Sequence, residues 1–523
     1  MKFIQTEEQI KKDFGFSVKD GIFWVLMNSI ALTFLVPYVI SLGANPLQVG
    51  LLQSLPIFLA SFLVLISYRI LRLFKSKKNS IVVFVTLQAL MWIPLAVAHF
   101  FFSNSLTIWV TIAIYVLIIG FGTIVHPVYM DWIRKLFPVK KMGAYLARKH
   151  IILEMISIIP IIITGYVLDL IKSSDTLIGF TIIFACAGLF RFISGRYLNK
   201  MNVTEDKKGI RIETKKRIKP VLKIFKKEVL NDKPFLKFLI FVILFYFGLY
   251  IGTIYVSYFL LDTLSYTYTM YVWWKIAFIA GTLLSLGYWG YISDKYGSIK
   301  ILKNSVLFMP LFILTIAIFY RSYLIIVISS FLAGVVFAGF NLSITNYFYQ
   351  NVKSDLINHS SFFLIIQAIA ILLGTLFGAL IIGVARNFFG NELEAIILVF
   401  IISAIFRFFA YLYGRNIKDL NRRNIHLFKS IIIQKPVIYG LKGFGIYLSQ
   451  EEKKMLSKAK ENKMKLKEFT KKEEEIIKNK MKKEKEEIMS LINKVKNEEK
   501  KIMTRFKTKK VTTSIKLKTK KKK

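Results

Sequence analysis

The chain has 523 residues, 55% of them hydrophobic, and a formal net charge of +43 at pH 7. A mean hydropathy of +0.52 excludes a disordered basic protein, and a charged fraction of 20% excludes a chain made of membrane spans alone. The two populations separate along the sequence, since residues 416–523 carry 34 Lys and Arg against 13 Asp and Glu while the apolar runs all precede them. A single cysteine, Cys186, leaves no intrachain disulfide and no cysteine-rich metal site.

Residues 1–20 are mostly polar, read as a cytoplasmic N-terminus, and lack the cleavage site of a signal peptide. Twelve apolar runs follow, each long enough to cross a bilayer core about 30 Å thick as a helix. Those of the first half are Gly21–Leu42, Val49–Ile70, Ile81–Phe102, Leu106–Val128, Ile151–Leu170 and Leu177–Tyr197. Those of the second are Phe238–Leu261, Met270–Ile292, Ile301–Tyr320, Leu324–Tyr347, Phe362–Ala385 and Ala395–Tyr413. A transmembrane β-barrel is excluded, because its strands would be about ten residues long and alternating. With the N-terminus inside, four short cytoplasmic loops hold 13 Lys and Arg, and the outer loops hold only Lys172, Arg321 and Arg386. Cationic loops are retained in the cytoplasm, so both termini are expected there, in a multi-pass protein of the plasma membrane.

One long basic loop, residues 198–237, divides a first set of six spans (21–197) from a second (238–415). The sets resemble each other: FACAGLFRFI (Phe184–Ile193) lines up with FIISAIFRFF (Phe400–Phe409), placing Arg191 on Arg407, and a weaker match sets Thr33 on Thr253. The expected fold is therefore all-α: twelve transmembrane helices in two pseudo-symmetric six-helix bundles, plus a basic cytoplasmic tail over residues 416–523. Duplicated halves around a central site are the architecture of alternating access.

Between spans 8 and 9 the chain reads G-Y-I-S-D-K-Y-G-S-I-K-I-L, Gly290 to Leu302. This resembles the G-x-L-a-D-r-x-G-r-k signature of the major facilitator superfamily, and the resemblance extends over roughly residues 15–415. It implies a central cavity lined by spans 1, 4, 7 and 10, and a conformational latch in which Asp294 and Lys295 contact a neighbouring helix start while Gly290 and Gly297 permit close packing. The matching loop of the first half, RILRLFKSKKNSI (Arg69–Ile81), has neither the glycines nor the aspartate. The main latch is therefore expected in the second half.

Polar residues inside a span are costly against lipid and tend to face a cavity or another helix. In span 7, Tyr246, Tyr250, Thr253 and Ser257 share one helix face; in span 4, Thr111, Tyr115, Gly122 and His126 share another. Span 10 adds Asn341 and Thr345, and span 1 adds Asn28 and Thr33. Lys275, five residues inside span 8, either snorkels outward or attracts an anion into the cavity. Glu154 and His126 are the candidates for proton coupling, although Glu154 has Arg134 and Lys135 as alternative partners, and His126 adjoins Pro127. Arg191 and Arg407 read as structural, through phosphate snorkelling or pairing at helix C-termini.

No phosphate loop and no H-E-x-x-H pair occurs, and the outer loops have three to nine residues, so an enzyme is not expected and no cofactor is implied. The remaining reading is a secondary or facilitative transporter of a small solute, acting as a monomer with or without a coupling proton or ion. The alternative is a non-transporting receptor or scaffold working through its tail. That tail carries an apolar residue every seventh position from Met481 to Ile502, a weak coiled-coil pattern. It is expected to meet anionic lipid headgroups rather than a specific nucleic acid.

Overall fold

The computed structural model describes residues 7–71, 74, 76–136, 139–171, 175–201, 233–351, 356–417, 486, 489 and 490. The expectations for the linker loop and for the tail beyond 417 fall almost entirely outside these residues. Among them, twelve helices are long and apolar enough to cross a membrane: Lys12–Ser41, Pro46–Leu63, Lys78–Phe101, Asn104–His126, Ile152–Ile171 and Thr176–Lys200, then Lys233–Thr263, Tyr268–Gly290, Ser298–Ile318, Tyr323–Ile344, Phe362–Phe389 and Glu392–Gly414. We number them spans 1–12. An even number places the first and last spans' outer ends on one side, the terminal face; the opposite side is the far face.

The helices start where short polar side chains satisfy first-turn amides that have no partner within the helix. Asn45 Oδ1 accepts from the Gln48 amide at 2.9 Å, and Gln48 Oε1 accepts in return from the Asn45 amide at 3.0 Å, opening span 2. Asp175, Thr267 and Asn391 cap spans 6, 8 and 12 in the same way. Between spans 8 and 9 the chain turns on one residue, Gly297, whose φ of +87° belongs to the left-handed region that glycine tolerates. Helix 1 begins at Glu7 rather than near Gly21, because Asp13, Ser17 and Asp20 lie on one face and are buried there.

Each bundle is built alike. Span 1 packs on spans 5 and 6, span 4 on spans 2 and 3, and span 3 on span 6; span 7 packs on 11 and 12, span 10 on 8 and 9, and span 9 on 12. That correspondence is the structural form of the repeat, and spans 1 and 7 are the most buried of the twelve. Spans 8 and 10 cross backbone to backbone, since a methyl group at Gly281 would strike the Phe331 carbonyl and one at Gly334 the Phe278 carbonyl.

The bundles meet through spans 2 and 11 and spans 5 and 8. In the far half they share one apolar core running from Phe34, Tyr38 and Phe184 across to Tyr255, Phe259 and Phe400. Toward the terminal face, among the described residues, the cores are separate: Phe84, Val125 and Trp132 in the first bundle, Phe238, Phe245 and Phe340 in the second. Among the described residues the bundles therefore share a core on the far side and none on the terminal side.

Candidate solute pathway

The two most buried spans are irregular near mid-membrane. Span 1 makes a π-turn over Asn28–Leu32. Span 7 leaves the α-helix at Gly252, continues as a 3-10 turn over Thr253–Tyr255 and ends in a π-turn over Phe259–Thr263. Such breaks release carbonyls from the helical ladder and require other donors to meet them.

The stripe on span 7 has a definite direction. Gly248 and Gly252 receive span 12 at Phe406, Arg407 and Ser403, while the Phe247 and Ile251 carbonyls receive Gly374 and Gly378 of span 11. At about 100° per residue, Tyr246 and Tyr250 lie on the face away from both neighbours, while Thr253, in the 3-10 turn, stays within reach of Arg407 on span 12. Tyr246 is buried against Phe340 of span 10, with ring centroids 5.8 Å apart, whereas Tyr250 is half-buried and Thr253 exposed. Ser257 is buried, its Oγ 3.4 Å from the Tyr271 hydroxyl.

On span 1, Asn28 and Thr33 are half-buried, and the Thr33 carbonyl accepts from Tyr271 at 3.3 Å. The span 4 stripe divides. Thr111 is fully buried beside Tyr38, and Gly122 abuts Gln88 inside the bundle; Tyr115 is half-buried and His126 exposed. Asn341 of span 10 is exposed, and the side chain of Thr345 lies outside the described residues.

The duplicated arginines turn inward rather than to headgroups, contrary to the snorkelling expectation: both are buried inside their bundles, Arg191 at 7% and Arg407 at 3% exposure. Arg191 donates to Gln88 Oε1 at 2.6 Å and to Ser194 Oγ at 3.0 Å, and Ser194 donates to Asp20 at 2.7 Å. Lys149 joins the same cluster, donating to Ser17 at 2.9 Å and to the Tyr129 hydroxyl at 3.1 Å. Burial pushes the Lys149 ammonium below the usual lysine range, and the charge of Asp20 opposes that shift. Asp20 is thus the counter-ion of one buried and one half-buried cation. Its signal in the sequence was the i, i+4, i+7 spacing of Asp13, Ser17 and Asp20.

Arg407 has a different environment. It donates to the Met309 carbonyl at 3.2 Å, to the Leu249 carbonyl at 3.2 Å and to Thr253 Oγ1 at 2.7 Å. Its Nε has no partner, and no carboxylate is paired with it among the described residues. Lys275, half-buried on span 8, lies 5.6 Å from the Tyr271 ring centroid and 4.9 Å from that of Trp274.

The far side is fastened by polar contacts between bundles. Both oxygens of Asp169, at the end of span 5, accept the first amides of span 8, Tyr268 at 2.8 Å and Thr269 at 2.7 Å. This carboxylate also meets the positive end of the helix dipole. Gln53 of span 2 donates to the Ile254 carbonyl of span 7 at 3.1 Å. Of the expected latch, Gly297 makes the turn, Gly290 lies within the helix with nothing described close to where a methyl group would sit, and the side chains of Asp294 and Lys295 lie outside the described residues. Glu154 is half-buried near the terminal end of span 5, and the side chains of Arg134 and Lys135 lie outside the described residues. Among the described residues no group of three or more His, Cys, Asp or Glu could hold a metal ion.

The sequence profile of the Major Facilitator Superfamily matches residues 21–356. No curated protein matches the chain by sequence. Among solved structures, the nucleoside transporter NupG is 14% identical and superposes with a TM-score of 0.56, covering 78% of this chain and 98% of its own. A partially occluded inward-open form of the xylose transporter XylE from E. coli is 12% identical, also at 0.56, covering 80% and 100%. A bacterial homologue of the iron transporter ferroportin in its inward-facing state is 12% identical at 0.56, covering 79% and 99%. At these identities the likeness is one of fold.

Proposed function

The chain belongs to the Major Facilitator Superfamily, and from that premise we propose that it moves a small solute by alternating access, in a state open to the cytoplasm. That it is a membrane solute transporter rather than an enzyme follows from the family and the fold. The mechanism rests chiefly on one observation: a single core joins the bundles in the far half, while separate cores hold them in the terminal half. Rocking that breaks the far contacts and closes the terminal gap would expose the centre to the other side. The excess of Lys and Arg in the terminal-face loops supports cytoplasmic termini and a plasma-membrane setting.

In this reading Asn28, Tyr115, His126, Tyr250, Thr253 and Asn341 line the pathway. Asp20, Glu154 and His126 are its titratable groups for any coupled proton. The basic tail rests on anionic headgroups, no nucleic acid is required, and one chain is the working unit.

Single cysteines at Asn341 and at Gly165 in a Cys186→Ser background test the proposal. In oriented proteoliposomes, a membrane-impermeant maleimide applied from the terminal face should label position 341, and position 165, which packs against Val272, should stay protected. Labelling of 165 with protection of 341 would reverse the assigned state. Lack of labelling at either position from either face, under any solute, would remove the pathway.

A further inference from the structure

The two bundles carry the same arginine with opposite charge balance. Arg191 has a carboxylate in its cluster, Asp20, one hydroxyl away through Ser194. Arg407 meets only neutral acceptors: two main-chain carbonyls and one hydroxyl. Those acceptors satisfy hydrogen bonds, and the Leu249 carbonyl and the Thr253 hydroxyl tie Arg407 to span 7 where it leaves the α-helix. They do not neutralise a charge, and a buried cation without a counter-ion is costly in a low-dielectric interior. In spans 7–12 the only Asp and Glu residues, Asp262, Glu392 and Glu394, sit at span ends.

The exposed atom in this arrangement is the Thr253 hydroxyl. Its oxygen accepts from the Arg407 guanidinium, so its own hydrogen is left to donate elsewhere, and among the described residues it forms no second hydrogen bond. A hydroxyl that accepts from a cation is a stronger donor outward. One turn further along span 7, Ser257 meets Tyr271, whose ring lies beneath the Lys275 ammonium. Lys275 likewise has no paired carboxylate among the described residues. Two cations thus flank one polar stripe.

We infer that Thr253, backed by Arg407, binds the oxyanion group of a negatively charged solute, a carboxylate or a phosphate ester. The inference rests on the transporter reading and names its substrate class. An anion there would complete the charge balance that Asp20 supplies to the first bundle.

The test reads local potential at two single cysteines, Thr253→Cys and Asn341→Cys, in the full chain with Cys186→Ser, reconstituted in proteoliposomes. Each is reacted with a thiosulfonate bearing a sulfonate and with one bearing a trimethylammonium group. The ratio of anionic to cationic rate should be about tenfold higher at 253 than at 341. It should fall to the value at 341 when Arg407→Gln is added, and should persist with Arg407→Lys, which keeps the charge. An equal or reversed ratio would overturn the anion site. Labelling at 341 with none at 253 also overturns it while leaving the pathway; no labelling at either overturns the pathway itself. Benzoate against benzamide, and glucose 6-phosphate against glucose, separate the two sources of oxyanion. Slowing of the reaction at 253 by an anion and not by its neutral partner supports the site and says which group it takes, whereas equal slowing by the neutral partner refutes it.

Discussion

Asp20→Asn tests the charge balance of the first bundle. The substitution keeps the volume and one acceptor toward Ser194, but it removes the counter-ion of Arg191, which is buried, and of Lys149, which is half-buried. Removing one partner of a buried charge cluster costs about 3–5 kcal/mol, because the remaining cations stay desolvated. For a chain of this size that corresponds to a fall in melting temperature of about 3–6 °C, readable as tryptophan fluorescence of the detergent-solubilised protein on heating. The double variant Asp20→Asn with Arg191→Gln should recover much of the loss, because it removes a cation together with the carboxylate. Arg407→Gln, which breaks no ion pair but leaves the Met309 and Leu249 carbonyls without this donor, should cost less than Asp20→Asn, about 1–3 kcal/mol. A loss below about 1 kcal/mol in Asp20→Asn, or equal losses at Arg191→Gln and Arg407→Gln, would refute the assignment of one compensated and one uncompensated bundle.

Asp169→Asn should shift the protein toward a state open at the far face, since it weakens two charge-assisted bonds worth roughly 1.5–3 kcal/mol each; far-side maleimide labelling of Gly165→Cys should rise, and unchanged labelling would count against this latch. Gly281→Ala should destabilise by about 1–3 kcal/mol through overpacking, because the added methyl meets the Phe331 carbonyl; Gly287→Ala, with open space around it, is the matched control in the same melting assay. Lys149 sits below its ordinary value of about 10.4 because of burial. It binds fewer protons folded than unfolded, so it destabilises while charged, and that cost is relieved as pH rises through the lowered value toward the ordinary one. Melting temperature should therefore rise more in the parent than in Lys149→Met as pH is raised from neutral toward the ordinary lysine value, and parallel profiles would contradict it.

The twelve spans were legible because a bilayer imposes a length and an apolar content that survive any detail of packing. The repeat was legible at Arg191 and Arg407 because the flanking aromatic residues are the same. Depth along a helix, however, does not tell which neighbour a side chain meets. Arg191 therefore read as reaching for headgroups, although spans 1 and 3 offer Asp20 and Gln88 at the same level. Asp20 itself fell in a polar stretch read as a cytoplasmic N-terminus, and its burial depends on Tyr129, Lys149 and Ser194, far away in sequence. The stripe on span 4 split for a related reason: phase selects a face, but one helix face is shared between cavity and bundle, and Gly122 went to Gln88. The break in span 7 had a weak signal in Gly252 followed by Thr253 and Ile254, and tertiary contacts of Arg407 and Tyr255 set where it falls.

The unbalanced charge of the second bundle also has an electrical side. A guanidinium fixed in a helix pack that tilts within the membrane crosses part of the transmembrane voltage with every reorientation, and a full crossing is worth about 2.3 kcal/mol per elementary charge at 100 mV. The first bundle, with Asp20 set against Arg191, moves little net charge at the corresponding position. Reorientation of the empty carrier would then displace charge and slow or quicken with voltage, while a carrier holding a monoanion beside Arg407 would reorient almost silently. Capacitive currents that vanish on adding substrate would be the electrical trace of one missing aspartate.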